Sequence, residues 1–595
     1  MNFYAPFCIP FIVGAAFMLV VLVIKYVSWI YRLPASDWRL IVKGIPSWQT
    51  LLGAWEVIRE SLLHFRIFKV NPLLGYMHMS LAFGWFLLIT VGWIETAAHL
   101  GFRYVPLQGH VFFKYFATDL PHKPVFDFLM DFLLLFVLSG VALAVGKRVF
   151  SRTMGMRRTT RHIFWDRVAL SVLWLIFPVR LLAESVTAAL YGGGGFLTGT
   201  IGEWIAEKVN PIVLPTLYEP LWWIYSICLG LFFVALPFSR YMHIFTEIPL
   251  IFLRRYKLHA KAKESSFDRF QVEACSRCGI CIDPCQLQSD LRINDVQSVY
   301  FLRDRRYGHL RQSVANNCLM CGRCEQRCPV GIELNTLRLN SRDKMRNTPD
   351  EKRYEYLRGV DRSSGEGRVG YFAGCMTLLT PRVLMAMERI FKASGEEVWW
   401  ADKEGGVCCG RPLMLSGETD SARKMMDYNV ALFRKHGITT LVTSCPICLK
   451  VFREEYNLTG IEVLHHSEYI KRLIESGRLQ VRHGERTFTY HDPCELGRGS
   501  RIYDEPRAVI EAVGVLLEPA QTRENALCCG SSVANTAISD GQQLKIARSV
   551  GRELAATGAE TIVTACPLCK KAIARGADGK PVLDLAEVVA ENIRA

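Results

Sequence analysis

The sequence predicts a multidomain chain: an all-α bundle of five transmembrane helices, a small α-helical cysteine module, and two α/β cysteine-rich repeats. Three observations predict it. The long apolar runs lie almost entirely before residue 250, eighteen of the twenty cysteines follow residue 270, and the region from about 366 onward repeats itself. At 595 residues, half of them hydrophobic, the chain is long enough for several domains and unusually apolar for a soluble protein. The expected boundaries are 1–250 for the bundle, 251–266 for a basic linker, 267–345 for the cysteine module, and 366–482 and 483–595 for the repeats.

Five runs reach the length a bilayer requires: 11–31, 73–95, 124–147, 167–190 and 219–239. The first lacks a basic n-region and a small-residue cleavage pattern, so it reads as an uncleaved span. Basic residues crowd alternate loops. Arg32, Arg39, Lys43, Arg59, Arg66 and Lys69 follow the first span, and Lys147, Arg148, Arg152, Arg157, Arg158, Arg161 and Arg167 follow the third. The other two loops hold only Arg103, Lys114 and Lys123, and Lys208. The positive-inside rule then puts the N-terminus outside and the cysteine-rich half in the cytoplasm of a bacterial or archaeal cytoplasmic membrane. The formal charge of +15 is a membrane signal, and no nucleic-acid motif accompanies it.

Histidines in or beside spans are candidate ligands of a b-type haem, which takes two facing neutral imidazoles. His78, two turns into the second span, and His243, just past the fifth, lie at similar depth and form the expected pair for one haem. His162, opening the fourth span, is the alternative partner, and His64 in the amphipathic stretch LLHFRIFK reads as interfacial. His99, His110 and His122 fall on the outer side. The fourth span also carries Arg180 and Glu184 one turn apart, and the third carries Asp127 and Asp131. Charges at bilayer depth are retained for function or for mutual pairing, so Arg180 and Glu184 are quinone-site candidates or a structural ion pair. Cys8 and Cys228, in apolar segments, read as buried thiols.

After the basic stretch RRYKLHAKAKESS comes CSRCGICIDPC, with Cys275, Cys278, Cys281 and Cys285, and then CLMCGRCEQRCPVG, with Cys318, Cys321, Cys324 and Cys328. Zinc sites pair C-x2-C units, whereas a third cysteine two residues on suits the corner geometry of a cubane cluster. With the fourth ligand exchanged between runs, one [4Fe–4S] cluster uses Cys275, Cys278, Cys281 and Cys328, and the other Cys318, Cys321, Cys324 and Cys285. The cysteine module is therefore expected to be an α-helical two-[4Fe–4S] ferredoxin domain. Its first run places proline before Cys285, where the second has Cys328-Pro329.

In the repeat, Cys375 is matched by Cys494, Cys408-Cys409 by Cys528-Cys529, and Cys445 and Cys448 by Cys566 and Cys569, at offsets of 119, 120 and 121 residues. The β-branched runs before LVTSCPICLK and IVTACPLCKK, with helix-like stretches after them, suggest α/β units with cysteines on loops at strand ends. Five cysteines exceed the needs of one zinc, and a cytoplasmic location disfavours disulfides, so a polynuclear iron–sulfur site is the best reading.

These elements resemble the CCG domains of heterodisulfide reductase catalytic subunits. Related domains occur in the dissimilatory sulfite reductase membrane complex, in lactate and glycolate oxidase iron–sulfur subunits, and in electron-transfer-flavoprotein:menaquinone oxidoreductases. The resemblance implies two noncubane [4Fe–4S] clusters, one on Cys375, Cys408, Cys409, Cys445 and Cys448, the other on Cys494, Cys528, Cys529, Cys566 and Cys569. The second repeat departs at HDPCELGR and CCGSS, which weakens any expectation of disulfide chemistry there. The membrane half is similar to the five-span b-haem subunit of respiratory nitrate reductase.

Together these readings imply membrane-bound electron transfer: a soluble flavoprotein, electron-transfer flavoprotein above all, feeds the clusters and haem b, and menaquinone is reduced. The chain has no nucleotide fingerprint of its own, since Gly192–Gly195 lies in an outer loop, so a partner flavin is required. The alternatives are a quinol-dependent disulfide reductase, the iron–sulfur subunit of a quinone-linked lactate or glycolate dehydrogenase, and a non-catalytic membrane scaffold.

Overall fold

The computed structural model describes residues 3–101, 104–150, 162–261, 264–345, 361–405, 407–533, 535 and 537–594. Arg103, Arg152, Arg157, Arg158 and Arg161, used above to orient the spans, lie outside them. The chain divides into two compact units, Met1–Ala260 with Ser265–Gly279, and Lys261–Glu264 with Ile280–Ala595.

The first unit is helical. Helices α1 (Ile9–Tyr31), α2 (Pro72–Leu100), α3 (Pro124–Val149), α4 (Phe164–Tyr191) and α5 (Leu214–Ala235) carry five segments long and apolar enough to cross a membrane. Proline opens α2 and α3, where its missing N–H costs no intrahelical bond. α5 packs on α4 and α1, and α2 on α3. Close approach is set by small residues: a Cβ on Gly14 would lie 2.6 Å from the Gly230 Cα, so the backbones of α1 and α5 touch. Outward-facing Val13, Leu19, Val20, Val23, Ile24 and Val27 leave α1 an apolar surface that suits lipid.

Past α5 the chain turns through Arg240–Met242 into α6 (His243–Arg255). Glu56, on the helix Trp48–Val57, binds Arg66 at 3.1 Å and Arg255 at 2.5 Å. Burial opposes its ionisation, but Arg255, Arg66 and Arg254 outweigh burial and hold its carboxyl below the ordinary value.

The unit does not end at the expected linker. Ser265–Gly279 packs with the bundle because Phe270 stacks on Tyr26 (centroids 6.1 Å apart, planes at 3°) and meets Trp29 edge-on at 5.2 Å. Arg277 then pairs with Asp166 of α4, both side chains almost fully buried. Asp166 also accepts the Arg240 N–H at 2.7 Å. The boundary thus falls inside the first cysteine run, between Gly279 and Ile280. Replacing Asp166 with Asn removes the carboxylate charge that faces the buried Arg277 guanidinium, and the expected cost is about 3 kcal/mol, read as a lower thermal midpoint of the helical signal in circular dichroism.

The second unit holds two four-stranded parallel sheets. Strands β1 (Val369–Phe372), β2 (Val398–Trp400), β3 (Thr440–Thr443) and β4 (Glu462–His465) lie in the order β2-β1-β3-β4. Strands β5 (Thr487–His491), β6 (Val515–Leu516), β7 (Thr561–Thr564) and β8 (Val582–Asp584) repeat it as β6-β5-β7-β8. The registers correspond, Tyr371 opposite Val442 and Tyr490 opposite Val563. TLVT and TIVT are β-branched, hence strands, and Pro446 and Pro567 at the first helical position start α7 (Pro446–Glu454) and α8 (Pro567–Ala574). One core runs through both repeats, joining Tyr371, Trp399 and Phe452 to Tyr490 and Leu585. At its seam His466 Nε2 lies 3.3 Å from Asp584 Oδ1, both wholly buried.

Candidate functional site

A parallel sheet sends every strand's C-terminal end to the same edge, and a ligand crevice opens where the strand order reverses, here between β1 and β3 and between β5 and β7. The cysteines sit there. Cys375 follows β1 and Cys445 follows β3, while Cys448 lies in the first turn of α7 and Cys408 and Cys409 on the loop beyond β2. Cys375 neighbours Cys445 and Cys409, Cys409 contacts Cys408 and Cys448, and Cys448 contacts Cys445. Gly374 has φ +83°, and a Cβ there would come within 3.0 Å of the Cys448 sulfur, so close packing of the thiols requires glycine. Buried Asp402 braces the turn, accepting the N–H groups of Ala373 at 2.9 Å and Gly374 at 2.7 Å. Burial pushes its carboxyl up to about 6.

The second repeat matches: Cys528 contacts Cys494 and Cys529, and Cys529 and Cys566 contact Cys569. Exposure separates the two sites at two positions. Cys375 is exposed and Cys408 half-buried, where their counterparts Cys494 and Cys528 are half-buried and buried; the other three cysteines of each site are all buried.

What covers the second site is the second cysteine run of the ferredoxin module. Cys528 also meets the thiol of Cys321. Gln286 clamps the same residue, accepting its N–H at 2.7 Å and donating to its carbonyl at 3.1 Å. Arg498, within the divergent HDPCELGR, donates to the Cys321 carbonyl at 2.6 Å and to Ala526 O at 2.8 Å. The departure noted in the sequence is therefore a docking residue. Cys285 neighbours Cys318 and Cys321, and Cys324 neighbours all three, so this expected ligand set comes together. The set of Cys275, Cys278, Cys281 and Cys328 is divided by the unit boundary.

Among the described residues no three His, Cys, Asp or Glu side chains converge to hold a single metal ion. Burial pushes Cys285 up to about 12, with Cys318 and Cys321 adding to it. So many buried sulfurs cannot all ionise without positive charge among them, which is the environment that an iron–sulfur cluster fits.

In the first unit, a cavity of about 340 Å³ is lined by His64, His78, His162 and His243, by Trp85 and Trp174, and by Arg148, Arg240 and Arg277. Cys278 lines it too. Four imidazoles, aromatic walls and a cationic rim fit a haem with its two propionates. His243 and His64 hold their Nδ1 atoms against the carbonyls of Arg240 (2.7 Å) and Leu62 (3.0 Å). Burial, then Arg240 and Arg277, hold His162 down to about 4, and burial lowers His64, so both are neutral. The interfacial reading of His64 does not survive: it is 9% exposed and stacks on His78 at 5.6 Å. Its left-handed backbone (φ +55°) turns the ring inward, a conformation that the amphipathic pattern does not signal. The His64 and His78 rings are nearly parallel, with planes 20° apart.

Arg180 and Glu184 are buried and paired at 2.8 Å, and Arg180 also bonds Tyr225. Asp127 and Asp131, alike in sequence, do different work. Asp131 accepts from Leu197 N, Thr198 N and Thr198 Oγ1, whereas Asp127 takes Lys114.

Two family models match this chain: "Cysteine-rich domain" over residues 369–453 and 488–574, and "4Fe-4S dicluster domain" over 271–332. The chain carries both domain types. Relatives include an iron–sulfur protein of Methanococcus maripaludis, 27% identical over 43% of this chain. That alignment spans 56% of the Methanococcus protein, little more than half its length. A component of the dihydromethanophenazine:CoB–CoM heterodisulfide reductase of Methanosarcina mazei is 27% identical over 56% of this chain and 80% of its own. The EtfAB:quinone oxidoreductase of Syntrophomonas wolfei is 22% identical, with 90% of each chain covered. Named relatives are oxidoreductases, and the likeness supports iron–sulfur electron transfer in a membrane protein.

Proposed function

We propose that this chain carries electrons between a soluble flavoprotein, electron-transfer flavoprotein first among candidates, and menaquinone in a bacterial or archaeal cytoplasmic membrane. Its N-terminus lies outside and its cysteine domains in the cytoplasm. Two cubane clusters on the ferredoxin cysteines and two noncubane clusters on the CCG cysteines supply one-electron steps when bound, and one haem b does so on His78 and His243. Exposed Cys375 makes the first CCG site the entry point, and the second is a relay. Arg180 and Glu184 are the polar groups offered to the quinone.

The observation that carries this reading is the packing of Cys321 on Cys528, which sets a ferredoxin ligand group against a CCG ligand group. The full-length likeness to a quinone oxidoreductase favours quinone over a disulfide as electron acceptor. The second reading, a quinol-driven disulfide reductase, draws on the heterodisulfide reductase relatives and on the accessibility of Cys375. In an anaerobic preparation, reduced electron-transfer flavoprotein is expected to reduce a b-haem spectrum, which a menaquinone analogue then reoxidises. Reoxidation by a disulfide but not by quinone would favour the second reading.

A further inference from the structure

Between α1 and α2 the chain forms two short helices, Ala35–Gly44 and Trp48–Val57, of ten residues each. Each is about 15 Å long at the helical rise, half of what crosses a bilayer. One side of each is closed against the protein. A Cβ on Gly44 would fall 2.2 Å from the Tyr256 ring, and one on Gly53 would fall 2.7 Å from the Phe252 ring. Thr50 Oγ1 meets the Tyr256 hydroxyl at 2.9 Å. The two glycines thus seat the helices flush against α6 and the residue that follows it.

The other side is open and apolar. Trp38, Val42 and Ile45 recur at spacings of four and three, and Trp48, Leu51, Trp55 and Ile58 at three, four and three, so each set forms one stripe. All seven are exposed, Trp48 by 68% and Trp55 by 58%. No charge interrupts the second stripe: Glu56 is the one charged residue between 44 and 58, and it is buried. A continuous apolar surface of this kind marks an interface.

Three observations identify what covers it. The chain enters from α1, whose outward Val23, Ile24 and Val27 suit lipid, and leaves at Pro72 into α2, so the pair lies where two spans end. The stripes carry three tryptophans, the side chain that favours the headgroup level of a bilayer. The exposed charge is all of one sign. From residue 32 to 71, Arg32, Arg39, Lys43 and Lys69 are exposed, whereas the carboxylates Asp37, Glu56 and Glu60 are all buried. A second copy of this chain would bring like charge against like, and a layer of anionic headgroups complements it.

We infer that residues 35–58 are an in-plane membrane anchor, with both stripes seated at the acyl boundary and Arg32, Arg39 and Lys43 holding the headgroups of anionic phospholipid. This rests on the reading that the five apolar helices cross a bilayer, and on no reading of the redox chemistry. Helix Trp48–Val57 packs on α6, which begins at His243, and leads on to His64. The anchor therefore ties two residues of the histidine cavity to the bilayer surface.

The test uses the wild-type full chain in phosphatidylcholine vesicles. A probe lipid with a diazirine high in its acyl chain is added at one mole fraction, either as phosphatidylglycerol or as phosphatidylcholine, and labelled peptides are located by mass spectrometry. Both probes are expected to label the spans and residues 35–58. The phosphatidylglycerol probe should label 35–58 at least about fivefold more, the enrichment that one basic residue at the surface gives. The combined variant Arg32→Gln, Arg39→Gln and Lys43→Gln, which alters exposed side chains alone, should bring the two probes to parity there and leave span labelling unchanged. Labelled spans with residues 35–58 unlabelled overturn the anchor and leave the spans standing. Unlabelled spans overturn both. Equal labelling of 35–58 by the two probes in the wild type overturns the selection of anionic lipid, and a preference that survives in the variant overturns the role of these three residues. The wild-type comparison decides the anchor even where the variant does not fold.

Discussion

Replacing Cys528 with serine is expected to drop iron from about sixteen to about twelve atoms per chain, the loss of one [4Fe–4S] group, and to abolish haem reduction by reduced flavoprotein. Cys528 is the residue where the two kinds of cysteine site meet, touching Cys494 and Cys529 on one side and Cys321 on the other. Its carbonyl and N–H are both held by Gln286, so the backbone should keep its place when the sulfur is lost. Dithionite, small enough to reduce the ferredoxin module directly, should still reduce the haem. Iron analysis and stopped-flow absorbance in the haem bands read the two effects separately. The same substitution at Cys375 should give the same iron loss, and it should also weaken flavoprotein binding if entry is there. Full haem reduction by flavoprotein in the Cys528 variant would place the second CCG site off the electron path.

Much of this was legible in the sequence, for identifiable reasons. Spans announce themselves because a bilayer demands length and apolarity in one stretch, and the cysteine runs because ligands on a short loop must keep local spacing. The parallel sheets were foreshadowed by β-branched TLVT and TIVT ahead of each CPxC. What stayed hidden depends on contacts between distant residues or on rare backbone conformations. His64 faces inward only because of one left-handed residue. Lys114 is one of a few basic residues in the loop between α2 and α3, yet it is placed between two carboxylates that no local pattern assigns to it. The segment Ser265–Gly279 has the look of the start of a soluble domain, but Phe270 and Arg277 belong to the bundle's packing. HDPCELGR reads as a loss of family features, and only the fold reveals Arg498 as a clasp on the ferredoxin loop.

The second large effect is expected at His243. His243→Leu should remove the b-haem absorbance entirely while leaving iron and sulfide near wild-type levels, and menaquinone reduction should fall to background. Four histidines line the cavity, so the choice among them has to be physical. His78 is shared by every arrangement. His64 lies 5.6 Å from it with planes 20° apart, so His64→Leu is the variant that tests a His64–His78 pair. Among the described residues the buried Nδ1 of His162 has no hydrogen-bond partner, whereas the Arg240 carbonyl holds that of His243 at 2.7 Å. A ligand whose second nitrogen is anchored is oriented before the iron arrives, which is the usual arrangement for metal-bound imidazole. His78→Leu should therefore behave as His243→Leu does, and His162→Leu and His64→Leu should keep the haem bands. Retention of the haem in His243→Leu together with its loss in His162→Leu would reverse the assignment and move the haem toward the Arg277–Asp166 pair.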